Sequence, residues 1–165
     1  MSVQNRHARR FPADPEVVGT LIDGLGSRED RLWPRERWPA LTMDGPLDES
    51  PKGGHGPIRY FVQEYERGRR VLFRFTGPPG FDGTHRFELR PAAGGCQLEH
   101  VIDMKVRGSA ILSWPLLFRP LHNALLEDAL DKAEAHVRGE EWRPRPFPWT
   151  VRLLRRMAAR RRTRR

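Results

Sequence analysis

The stretch "GTHRFELRPAAGGCQLEHVIDMKV", residues 83–106, places two histidines among apolar side chains. Counted in twos, one face carries His85, Phe87 and Leu89 before a "PAAGG" turn, and Leu98, His100, Ile102, Met104 and Val106 after it. Imidazole gives and accepts protons near neutrality. Such a pair can hydrogen-bond a carbonyl or hydroxyl of an otherwise apolar ligand, or serve as acid and base in a cyclisation or dehydration. The alternative is two buried histidines satisfied by backbone or water. Their separation depends on the turn: directly opposed residues have Cβ atoms about 5 Å apart, and a slip of two gives a diagonal of roughly 7 to 8 Å. His85 and His100 are the catalytic candidates, and whether any reaction occurs stays open.

Other chemistries are weaker. Cys96 and His100 share a strand face, but four residues at about 3.3 Å each separate them by roughly 13 Å, too far for a nucleophile and its base. A single cysteine excludes an intramolecular disulfide and a cysteine zinc site, predicts no disulfide-linked partner, and suits a reducing compartment. The histidines lack H-x-x-x-H and H-E-x-x-H spacing, so no metal is expected. "GGHG" at 53–56 lacks a following Lys-Ser/Thr and leads into a strand, so neither a phosphate cradle nor a cofactor is expected. His55 there reads as a loop residue. His122 falls near the start of an apolar helical stripe, next to Leu121 and Leu125. The Tyr60 phenol, on an apolar strand face, needs a partner from protein, water or ligand. Trp33 and Trp38, each before a proline, supply large surfaces for core packing or a lid.

The elements that must hold these residues can be read along the chain. Residues 2–10 suit a first strand. In "ADPEVVGTLIDGLG", Asp14 is an N-cap, Pro15 the first helical position, and Gly26 the close. "DRLWPRERWPAL" allows at most a helical turn. "PIRYFVQEYERGRRVLFRF" alternates as a hairpin, and a two-residue turn at Arg67-Gly68 sets Val62 opposite Phe73 and Tyr60 opposite Phe75. The "TGPPGFDG" loop then brings Val71, Phe73 and Phe75 against Leu89, Phe87 and His85. At least four strands form a meander with one apolar face.

Phe118, Leu121, Leu125, Leu126, Ala129, Leu130, Ala133 and Val137 form a helical stripe between Pro115 and Arg138 that can cover that face. Residues 115–119 are ambiguous because Pro120 can begin a helix or kink one. Glu127, Asp128, Asp131 and Glu134 would mostly face water.

Charge is concentrated at one end. Arg152, Arg155, Arg156, Arg160, Arg161, Arg162, Arg164 and Arg165 supply eight of the net +9, so residues 1–151 carry +1. A basic nucleic-acid-binding fold therefore does not follow from the overall charge. "RPFPWTVRLL" mixes aromatic and aliphatic residues with arginines, as at a bilayer interface. Residues 151–165 have three readings: an anionic membrane surface, nucleic acid, or a solvated end. The N-terminus lacks the apolar core of a secretory signal, and "AILSWPLLF" is too short to span a bilayer. Cytoplasmic is the expected location, with membrane-peripheral placement open through the tail.

The order of first strand, short helix, antiparallel meander and long C-terminal helix carries a resemblance. So do "LWPRERWP", "GGHGPIRYFVQEYERGRRVLFRF", "GTHRFEL" and "RPLHNALLEDALDKAEAH". These resemble actinobacterial members of the SRPBCC superfamily, START-like proteins that include polyketide cyclase/dehydrase-like and lipid-transfer members. The resemblance covers roughly 3–138. It implies an α+β helix-grip fold, with a curved antiparallel sheet wrapped around the long helix, and a cavity between them for a hydrophobic or amphipathic molecule. The expected organisation is a START-like ligand-binding domain at 1–139, a proline-rich linker at 140–150 and an arginine-rich tail at 151–165. The expected ligand-binding residues are Tyr60, Phe73, Phe75, His85, Phe87, His100, Ile102, Met104 and His122. Ligand binding is the leading reading. A cyclase/dehydratase-like enzyme using the histidines, or a membrane-peripheral or scaffolding protein acting through its basic tail, are the alternatives.

Overall fold

Alternation of apolar residues from Ile58 to Val106 drives these residues into strands, and the terminal segments complete the sheet they begin. In the computed structural model, residues 1–162 are described, with side chains through Met157; Arg164, Arg165 and the side chains of Arg160, Arg161 and Arg162 lie outside the described part. β1 (Ser2–Phe11) is followed by α1 (Pro15–Asp23). The Asp14 carboxylate accepts from the Glu16 N–H at 2.9 Å, and Pro15 occupies the first turn, where its missing N–H costs nothing. The helix closes on Gly24, two residues before the expected Gly26.

Next come β2 (Thr42–Met43), a 3-10 turn at Leu47–Glu49, β3 (Lys52–His55), β4 (Ile58–Glu66), β5 (Arg70–Gly77), β6 (Phe81–Ala92) and β7 (Gly95–Val106). They form one seven-stranded sheet in the order β1-β7-β6-β5-β4-β3-β2, with every neighbouring pair antiparallel.

The β4–β5 hairpin reaches the expected register by a different route. Glu66 pairs with Arg70, so the loop has three residues, 67–69; the Arg69 N–H bonds the Glu66 carbonyl at 3.0 Å, and Gly68 takes φ +69°. That φ at the third position of a turn suits glycine. The extra residue is absorbed by a bulge between Val62 and Glu64, beyond which Val62 faces Phe73 and Tyr60 faces Phe75 as predicted.

The β5–β6 register differs from expectation by two. Phe73, not Phe75, lies opposite His85, and Val71 lies opposite Phe87. The cause is a tighter connection: β5 runs on through Gly77, and the Phe81 N–H bonds the Pro78 carbonyl at 3.2 Å. A slip of two keeps every side chain on its face.

The helical cover begins earlier than expected. α2 (Ala110–Ser113) passes through a π turn (Trp114–Phe118) into α3 (Arg119–Val137). Pro115 and Pro120 each remove a backbone donor, which explains a wide turn there without an end to the helix. Leu125, Leu126, Ala129, Leu130 and Ala133 are buried as the stripe predicts. Asp128, expected to face water, is buried instead, because it accepts from the Trp38 Nε1–H at 2.7 Å and from Arg37 Nη1 at 3.1 Å. After irregular residues 139–148, α4 (Trp149–Arg162) completes the described chain.

Candidate functional site

A cavity of about 760 Å³ lies between the sheet and the helical cover. Phe75, Phe81, His85, His100 and Ile102 form its sheet wall; Trp114, Leu117, Phe118, Leu121, His122, Leu125 and Leu126 form its helical wall. Trp33, Trp38, His55 and Arg155 close the rest with residues 56–58. The size suits a small organic ligand, and the lining is mostly apolar with a few polar groups, as such sites require.

The polar groups are mainly imidazoles. The register of β6 on β7 places His85 opposite Ile102 and His100 opposite Phe87, so the two histidines are diagonal neighbours. Their rings meet, with His85 Nδ1 and His100 Nε2 3.3 Å apart. His122 follows from α3 with its ring 5.0 Å from that of His100, and His7 of β1 lies edge-on to His122 at 5.9 Å. His7 is tied to Glu127 Oε1 at 2.9 Å and to Asn123 Oδ1 at 3.1 Å. On the other side, His55 Nδ1 and the Tyr60 hydroxyl share a hydrogen bond of 3.1 Å. Rings of Phe73, Phe75 and Tyr60 surround His85 at 4.7 to 4.8 Å.

Burial removes the hydration that a cation needs, and this sets the charge of the whole group. His85 and His100 are driven well below the ordinary 6.5, first by desolvation and then by neighbouring imidazoles. Desolvation takes His55 and His122 down to about 3, with Arg59 adding to the effect at His55 and His7 and His55 adding to it at His122. All four are neutral at pH 7. Burial likewise pushes the Tyr60 phenol up, so it stays protonated. His85 Nε2, His100 Nδ1 and His122 Nδ1 are buried with no partner in the protein.

Of the residues expected at a binding site, Phe75, His85, His100, Ile102 and His122 line this cavity, while Tyr60, Phe73, Phe87 and Met104 lie outside its lining. Those four are almost wholly buried and back the wall. The slip of two on β5 accounts for part of this: Phe73 stacks on His85 and spends its face there. Trp114, Leu117, Phe81 and Arg155 are lining residues that sequence reasoning missed. "AILSWPLLF" held a signal for Trp114 and Leu117, an apolar run leading directly into a helical stripe. His7 carried none, since alternation in β1 is poor.

The tryptophan wall is bolted to α3. The Asp30 carboxylate accepts from the Gly26, Leu32 and Trp33 backbone N–H groups at 2.7 to 2.9 Å. Trp33 Nε1 donates to the Pro39 carbonyl at 2.9 Å. Lys132 Nζ donates to the Trp33 carbonyl at 2.8 Å and to Glu36, and Asp128 holds Trp38. From the C-terminal side, Phe147 packs edge-on against Trp38 at 5.3 Å, and the Arg37 guanidinium lies over the Phe147 ring, 3.7 Å from its centroid. The Arg155 guanidinium lies over Trp38 at 4.8 Å and over Phe147 at 4.6 Å, and donates to the Arg37 carbonyl at 2.9 Å. Cys96 is buried, its thiol turned to the Ala13 carbonyl, away from this cluster.

No family model matches the chain, and no curated protein matches it in sequence. Solved structures do match. The chain is similar to CalU16 from Micromonospora echinospora, at 18% identity over 94% of this chain and 82% of that one, with a TM-score of 0.58. It is similar to StfQ, a di-domain ARO/CYC from the steffimycin biosynthetic pathway, at 14% identity over 84% of this chain, with a TM-score of 0.63; the match spans 51% of StfQ. Ara h 8.0201 is matched along 100% of its length by 85% of this chain, at 12% identity and a TM-score of 0.57. Likeness at these identities shows the fold, an antiparallel sheet with a long C-terminal helix of the helix-grip type. Among the described residues, no helix is long and apolar enough to cross a membrane.

Proposed function

We propose that this protein binds a small, mostly apolar molecule carrying a hydrogen-bond donor and an acceptor, held in the cavity between the sheet and α3. The observation that carries this reading is the His85–His100 pair. One hydrogen bond joins the two rings at 3.3 Å, and the outer nitrogen of each, His85 Nε2 and His100 Nδ1, is buried without a partner. Both rings are neutral, so each has one N–H and one lone pair. If His85 donates to His100, His85 Nε2 is a free acceptor and His100 Nδ1 a free donor. If His100 donates, the roles exchange. Either way the pair offers one donor and one acceptor, and a ligand that supplies the complement relieves two unsatisfied polar atoms at once. The helix-grip fold, shared with an ARO/CYC from a biosynthetic pathway, is compatible with a small organic ligand in this cavity.

Hydroxylated polycyclic aromatics, matched hydrocarbons lacking oxygen, and fatty acids form the discriminating panel for thermal shift and calorimetry. Stabilisation by the hydroxylated ring compounds, reduced about tenfold or more in affinity when His100 becomes Leu, is the expected result. Equal binding of the oxygen-free analogues, or no binding by any of the three classes, would overturn it.

A second reading, a cyclase/dehydratase-like enzyme, is favoured by the same contact. A proton taken from the ligand at His85 Nε2 releases the His85 Nδ1 proton to His100 Nε2, and His100 Nδ1 returns its own proton to another ligand atom. Neither ring passes through a cation. That matters because an imidazole held far below its ordinary pKa is a weak base by itself. His85→Ala and His100→Ala should each abolish turnover while a ligand still binds; turnover surviving either change removes this reading.

A further inference from the structure

We propose that α4 docks the cavity mouth on an anionic lipid bilayer, so that the ligand is exchanged with a membrane surface; this rests on the ligand-binding reading above. α4 has two faces with different duties. Val151 is 2% exposed, and Arg155 stacks on Trp38 and Phe147 where it lines the cavity, so this face belongs to the protein body. Trp149, Leu153 and Met157 recur every four residues and are 73%, 51% and 49% exposed. That spacing sets them along one side of the helix. Arg152 and Arg156, both exposed, flank them. No acidic residue follows Glu141 in the sequence.

Charge and apolar surface together select the partner. A bilayer interface takes tryptophan at headgroup depth and aliphatic side chains below it, while arginines reach lipid phosphates. Stable attachment by a short apolar face needs a second signal, and a basic patch supplies it on anionic lipid. Nucleic acid would use the arginines but leave the Trp149–Leu153–Met157 ridge in water. A second copy of the chain would bring arginines against arginines across a symmetric contact. The helical wall of the same cavity also exposes apolar side chains, Leu112 at 68% and Leu116 at 69%, beside the lining residues Trp114 and Leu117.

The experiment uses the full chain and co-sedimentation with phosphatidylcholine vesicles, with and without phosphatidylglycerol. Binding is expected only with phosphatidylglycerol, and added salt should release it. W149S/L153S/M157S and R152E/R156E should each weaken it by about tenfold or more. Circular dichroism checks that both variants fold. Binding of 1-anilinonaphthalene-8-sulfonate in the cavity, measured without vesicles, should be unchanged in both, since none of the five residues lines it. Wild-type affinity in the W149S/L153S/M157S variant, or tighter binding to duplex DNA than to the anionic vesicles, would overturn the docking assignment. Loss of cavity binding in the wild-type chain would instead count against the ligand-binding reading.

Discussion

His85 and His100 leave hydrogen-bonding capacity unused in the interior, and stability is the place to detect it. Replacing both by phenylalanine removes two orphaned polar atoms and adds apolar contact. H85F/H100F should therefore melt no lower than wild type and gain about 1–3 kcal/mol in chemical denaturation, while losing the preference for oxygen-bearing ligands. A loss of stability would show that the pair is structural. The same burial fixes a pH response. The folded-state pKa values of His55, His85, His100 and His122 lie below the ordinary 6.5, so the unfolded chain binds more protons than the folded one. Their contribution is complete above pH 6.5 and is lost as pH falls from there, for His55 and His122 down to about 3, at about 1.4 kcal/mol per histidine per pH unit. Asp30 and Asp128, whose pKa values burial raises, slope the other way, but they are two against four. Denaturation midpoints in urea should fall steadily between pH 6.5 and 4; a flat profile would mean that the histidines are hydrated.

Among the elements, the close contact of α1 with the β4–β5 turn has a clear test. A Cβ added at Gly19 would lie 2.4 Å from the Gly68 carbonyl oxygen, and Asp23 Oδ1 accepts from the Gly68 N–H at 2.7 Å and from the Tyr65 hydroxyl at 2.8 Å. Gly19→Ala must push backbone against backbone, so it should destabilise by about 1–3 kcal/mol despite alanine's better helix propensity. Equal or higher stability would contradict the packing. Periodicity made most of the elements legible. The cap at Asp14, the alternation from Ile58 to Val106 and the stripe from Leu125 to Ala133 are each local patterns with one physical solution. What escaped was set by long-range pairing. A loop one residue longer than expected at 67–69 is cancelled by the bulge at Val62/Glu64, and both are invisible to alternation alone. The β5–β6 slip depends on how "TGPPGFDG" closes, which spacing does not fix. Asp128 looked like a solvent-facing acid because its partners, Arg37 and Trp38, are 91 and 90 residues away.

For the whole molecule, the same limit explains the site. The histidines at 85 and 100 stand out because they interrupt an apolar face, but the lining depends on distant chain segments meeting. Trp33 and Trp38 arrive through Asp30, Lys132 and Asp128, and Arg155 arrives from beyond a proline-rich stretch that reads as a mere connector. The segment after residue 139 packs on the core through Phe147, Val151 and Arg155, and Arg155 lines the cavity. A domain of this size built around a half-open cavity of about 760 Å³ also stores volume wherever the apolar lining stays dry. Unfolding collapses that space, and hydrostatic pressure favours the smaller system. The unfolding volume should lie towards the large end of the usual range, near −100 mL/mol. A cavity ligand should raise the pressure of half-unfolding by more than its effect on urea stability accounts for. High-pressure tryptophan fluorescence measures both, and deep compression without unfolding would mean that the hollow is shallower than it looks. On that prediction the space between sheet and helix is also a mechanical property: empty it makes this fold soft, and a bound molecule would make it stiff.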